Sequence, residues 1–102
     1  MIHHCVFLRF KSAVQDSEKQ VIYDEIAAMR EFIPGMLEVR GGPNTSSEGL
    51  NGGFLDGFIV TFEDDQVRDY YLAHPKHKDI NDRIMNATDG GLSGIMVFDL
   101  ES

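Results

Sequence analysis

Residues 2–11, IHHCVFLRFK, alternate along the chain. Ile2, His4, Val6, Leu8 and Phe10 form one set, and His3, Cys5, Phe7, Arg9 and Lys11 the other. Alternation of period two predicts a strand whose first set is buried. The second set is also apolar at its centre, through Cys5 and Phe7, which implies that both faces of the sheet are covered. The period then changes. Ile22, Ile26, Met29 and Ile33 recur at helical spacing, predicting a helix over 16–33 with Asp16 or Ser17 as its cap. Pro34 and Gly35 stop it. Met36 to Gly41 reads as a shorter strand, and residues 41–53, rich in Gly, Ser and Asn, as a solvated loop. A third strand follows over 54–63, with Phe54, Phe58, Val60 and Phe62 on one face and Leu55, Ile59 and Thr61 on the other. Asp64 or Asp65 caps a second helical segment carrying Val67, Tyr71 and His74. Beyond Pro75 the stripe restarts with His77, Ile80 and Ile84, and after a turn over 88–94 a last strand occupies 95–100.

The order is βαββαβ. It predicts an α+β, ferredoxin-like domain, a four-stranded antiparallel sheet with its helices on one face. The opposite face is then open, yet strands one, three and four are apolar on both sides. An exposed apolar sheet is an association surface, and two copies packed face to face through it would form a homodimer.

Charge narrows the partners. Nine Lys and Arg stand against 17 Asp and Glu in 102 residues, a net charge of −8, and no basic run offsets it. That argues against nucleic acid and against an anionic membrane surface. No apolar run approaches the ~18 residues of a membrane helix, and the N-terminus lacks the marks of a secretion signal. Cys5 is the only cysteine, so no intrachain disulfide forms, which suits a reducing cytoplasm. Mid-strand, it reads as an inert buried thiol.

The remaining chemistry lies in the histidines. His74 and His77 stand three apart, a spacing that can hold a metal. Pro75 distorts that spacing, however, and no Cys or second His pair completes a tetrahedral shell, so no metal site is assigned. The carboxylates of 64–69 and 79–83 read as solvated helix faces. His77 shares a face with Ile80 and Ile84 and so points between helix and sheet, where His4 also points from the first strand. Tyr71 and His74 occupy the stripe just upstream. One account makes these groups packing residues, with His74 bonding free backbone at the helix break and His77 a hydrogen-bonded core histidine. The other makes them a site, because several polar groups converge on one apolar interior.

Three segments, HHCVFLRFK at 3–11, GFIVTFED at 57–64 and YLAHPKHKD at 71–79, resemble the stress-responsive α/β-barrel domain family over nearly the whole chain. The Tyr-x-x-His-Pro-x-His element is the most specific part. The resemblance implies a dimeric α+β barrel of ferredoxin-like protomers. It also implies a plant-cyclase type of chemistry, intramolecular aldol closure without a cofactor. Carried over by position, His77 is the general base and Tyr71 its assistant. His4 falls on a pocket histidine, and Asp56 stands where the cyclase has a further one. The candidate site is therefore His77 and Tyr71 for catalysis, with His4, His74 and Asp56 for binding a small apolar carbonyl compound. A non-catalytic stress-response or ligand-carrier role is the alternative, and a cofactor-independent monooxygenase follows from fold analogy alone.

Overall fold

A computed structural model describes residues 1–102. Strand β1 (Ile2–Leu8) leads to helix α1 (Asp16–Ala28), which tightens into a 3-10 turn over Met29–Glu31. Strands β2 (Met36–Pro43) and β3 (Asp56–Phe62) follow, then helices α2 (Asp65–Ala73) and α3 (Pro75–Ala87), a 3-10 turn at Gly91–Gly94, and strand β4 (Ile95–Glu101). The strands lie in the order β2-β3-β1-β4, and every neighbouring pair is antiparallel. This is the ferredoxin-like, four-stranded antiparallel sheet expected from the pattern.

The differences lie at the element boundaries. The second crossover is two helices, because His74 takes an extended conformation (φ −70°, ψ 137°) ahead of Pro75. The clash between a proline ring and the preceding residue excludes the helical region there. Neither Asp16 nor Ser17 caps α1. Gln15 is the N-cap without a side-chain bond, and Asp16 sits in the first turn, where its charge favours the helix dipole. Helix α1 gives way at Met29, short of Ile33, although Ile33 remains buried. Phe54 precedes β3, in the loop, under the Arg9 guanidinium at 4.9 Å.

Alternation on β1 holds from end to end: Ile2, His4, Val6 and Leu8 are buried, and the residues between them half-buried. Their face packs against α1, α2 and α3 through a core centred on Leu8, Ile26, Met29, Val60 and Phe62. Helix α1 lies so close to β2 that a Cβ on Gly41 would meet the Tyr23 ring at 2.7 Å. The other face carries Cys5 and Phe7 of β1, Ile59 of β3, and Met96, Phe98 and Leu100 of β4. No helix covers it, and Ile59, Met96, Phe98 and Leu100 are exposed. No helix is long and apolar enough to cross a membrane.

Candidate functional site

Three elements bring the candidate residues together. Asp64 caps α2 by accepting a hydrogen bond from the Val67 backbone N–H at 2.9 Å, which fixes the start of the helix and hence the inward direction of Tyr71. Tyr71 is 1% exposed. The break at His74 restarts the helical register, and His77 arrives in the first turn of α3 with its ring 4.6 Å from that of Tyr71. His4 projects from β1 into the same space, 6.0 Å from Tyr71 in an edge-on arrangement. Phe62 closes the group from below, 5.1 Å from Tyr71 and 6.3 Å from His4.

Pairing of β1 with β4 places Asp99 directly opposite His4. The Asp99 Oδ1 lies 2.7 Å from His4 Nδ1, and its Oδ2 accepts from Arg68 Nη1 of α2 at 3.3 Å. A carboxylate at Nδ1 holds the proton on that nitrogen and leaves Nε2 to meet the pocket. The cavity between α2, α3 and the sheet has a volume of about 210 Å³ and is bordered by His4, Tyr71, His77, Asn81 and Asp99 on an otherwise apolar wall. It opens at the β4 edge, where Val97 faces the helices but is 56% exposed.

Burial lowers the pKa of His77, repulsion from His4 adds to this, and a hydrogen bond to the Leu72 backbone partly offsets it. His77 is therefore a neutral imidazole at physiological pH, able to accept a proton. Burial moves the Tyr71 hydroxyl the other way, keeping it protonated and available as a donor. Burial and the nearby Asp99 also raise the pKa of Cys5, which stays a thiol on the opposite face of the sheet.

Two of the expected binding residues lie elsewhere. His74 caps α3, its Nδ1 accepting from the Lys76 backbone N–H at 3.1 Å, and its ring stacks on Phe32 outside the pocket. Asp56 is opposite Leu8, four residues along β1 from His4 or about 13 Å at the rise of a strand, and it pairs with Lys19 at 3.1 Å. Both have a structural reason to be where they are. Asp99, Arg68 and Asn81 are absent from the sequence reading. For Asp99 a signal existed, since in IMVFDL it shares parity with Ile95 and Val97, the helix-facing set. No cluster of three or more His, Cys, Asp or Glu is placed to hold a metal ion.

A small ferredoxin-like domain with a polar cluster in a lined cavity is the class that fold and site define. The family model for the stress responsive A/B barrel domain matches residues 2–102, and the chain belongs to that family. Olivetolic acid cyclase from Cannabis sativa is 25% identical over 81 residues, 79% of this chain and 80% of that protein. Among solved structures, a dimeric ferredoxin-like protein of unknown function from Jannaschia sp. CCS1 superposes with a TM-score of 0.83 at 29% identity, covering 99% of this chain and 98% of the other. The hydroxynitrile lyase from Passiflora edulis superposes with a TM-score of 0.80 at 20% identity, covering 97% of this chain and 90% of that one. At that identity the likeness is one of fold.

Proposed function

We propose that this protein binds a small, mainly apolar carbonyl compound in the cavity between α2, α3 and the sheet, and removes a proton from the carbon next to the carbonyl. The observation that carries this reading is the half-buried His77, its pKa lowered by burial, held ring to ring with Tyr71 inside a lined cavity. A general base has to stand near its proton, in a partly dry site, with a pKa below or near the working pH. In the proposed step the imidazole of His77 takes the α-proton, the C–H electron pair becomes the C=C bond of the enolate, and the carbonyl π pair moves onto the oxygen. Tyr71 donates a hydrogen bond to the enolate oxygen as its charge develops. His4, its Nδ1 proton held by Asp99, turns the Nε2 lone pair to the pocket, where it accepts from a hydroxyl or enol O–H of the ligand. The enolate then attacks a second carbonyl of the same molecule, as in aldol closure, or is reprotonated elsewhere, as in isomerisation. No cofactor is required for either outcome.

One relative, olivetolic acid cyclase, supports this reading without extending it. The working form is a homodimer through the open sheet face, as the description of the Jannaschia structure as dimeric suggests, in a reducing, cytoplasmic setting that suits the single thiol. The experiment is α-proton exchange into a bound ketone in D₂O, compared between wild type and His77→Ala. Binding without accelerated exchange would instead favour the ligand-carrier role.

A further inference from the structure

We infer that Asn81 donates hydrogen bonds to a second, uncharged oxygen of the ligand, so that the pocket selects neutral bifunctional carbonyl compounds over monofunctional ones and over carboxylates. The inference rests on the pocket reading above and gives it a substrate class.

Asn81 follows His77 by four residues on α3, so the two lie on one ridge of the helix, with side chains roughly 5–6 Å apart at Cβ. The neighbouring stripe, Ile80 and Ile84, is buried against the sheet, while Asn81 is half-buried and borders the cavity. A helix face turned wholly to solvent would not do so. None of the side-chain hydrogen bonds made by α2 or α3 engages its carboxamide. Its two donors and its acceptor are therefore uncommitted beside an apolar wall. A polar group left free in such a place gains most from a ligand that completes it, and it discriminates against a ligand that leaves it unpaired.

Spacing and charge set the class. With the reacting carbon at His77 and its carbonyl oxygen at Tyr71, an oxygen bound by Asn81 lies about one helical turn along α3 from His77, within reach of the second oxygen of a 1,3- or 1,4-dicarbonyl or of a hydroxyketone. No Lys or Arg borders the cavity, and the one formal charge on its wall is the carboxylate of Asp99. Asp99 is already engaged by His4 and Arg68, so the wall offers no free cation to a carboxylate ligand. The volume of about 210 Å³ lies below the ~300 Å³ at which pockets for drug-sized ligands begin, which limits the ligand to a compact molecule.

The test uses three probes of similar length, heptan-2-one, heptane-2,4-dione and 3-oxohexanoate, titrated into the full chain and followed by NMR at the ring resonances of His4, Tyr71 and His77. In wild type the dione should bind about three- to tenfold more tightly than the ketone, the increment of one net hydrogen bond. The carboxylate should bind most weakly. In Asn81→Ala the dione should fall to the affinity of the ketone, and the ketone should be unchanged. Asn81→Asp keeps the size but loses the donors, and it should behave as Asn81→Ala does. A dione preference that survives in both variants, or 3-oxohexanoate binding as tightly as the dione, would overturn the inference while leaving the pocket in place. If no probe moves the three ring resonances in wild type, the pocket reading fails, and the role of Asn81 fails with it.

Discussion

At the scale of single residues, the site depends on what burial does to two ionisable groups. His77 and Tyr71 touch, yet their environment moves them in opposite directions, one toward losing its proton more easily and the other toward keeping it. The consequence for stability has a definite sign. The folded pKa of His77 lies below its unfolded value of 6.5, so the native state binds fewer protons than the unfolded chain in the interval between them. The contribution is fully present above pH 6.5 and is lost as the pH falls through 6.5 toward the folded value. His4, Asp99 and Tyr71 are the titratable groups that face His77, and all remain in a His77→Gln variant. Lowering the pH from about 7.5 to about 5.5 should therefore reduce the melting temperature more in wild type than in His77→Gln, as read by differential scanning calorimetry. Equal losses would mean that His77 titrates as it does in the unfolded chain. The inward direction of His77 and Tyr71 was legible from the helical stripes alone. Asp56 was carried over by position from the family resemblance alone, and such a match does not fix how far along the sheet the residue lies: the register sets it opposite Leu8, four residues from His4.

At the scale of elements, His74-Pro75 is the junction that makes the site. Had the α2 register continued, the residues after His74 would follow a different face, and His77 would not meet Tyr71 as it does. Proline alone forbids the helix at His74, but it leaves the first turn of α3 with unpaired N–H groups, one of which the His74 ring satisfies. His74→Ala should cost about 1 kcal/mol of stability, within the usual range for an N-cap, as measured by urea unfolding. Ligand affinity should be nearly unchanged, because His74 does not border the cavity. A large loss of affinity with stability intact would return His74 to the binding site. The proline made this break legible. The start of α1 at residue 16 was legible too, but its cap was not, because Gln15 carries no capping signature and Asp16 beside it looks like a cap while acting through the dipole.

At the scale of the whole molecule, the site is assembled from the two ends of the chain. His4 and Asp99 are 95 residues apart and meet only because β1 and β4 are neighbours in the sheet. A periodicity argument predicts that four strands exist, but it does not state which of them pair, so the partner of His4 stayed hidden although its parity was visible. The second face of the sheet was legible from the start, since Cys5, Phe7, Ile59 and Phe98 break the polar alternation of a solvated surface. A charge introduced at its centre should prevent two copies from packing there. By light scattering at micromolar concentration, wild type should be a dimer and Phe98→Lys a monomer, with circular dichroism unchanged. A wild-type monomer would remove the face-to-face barrel from the account.

The proposed chemistry can be tested without knowing the natural substrate. Heptan-2-one in D₂O takes up deuterium at the carbons beside its carbonyl, and NMR follows the uptake directly. The account predicts that wild-type protein accelerates this exchange over buffer and that His77→Ala reduces the acceleration about 10²- to 10⁴-fold, the usual contribution of a general base. Tyr71→Phe should lie between the two. Equal exchange rates for wild type and His77→Ala, with both proteins folded and both binding the ketone, would contradict the assignment of His77 as the base.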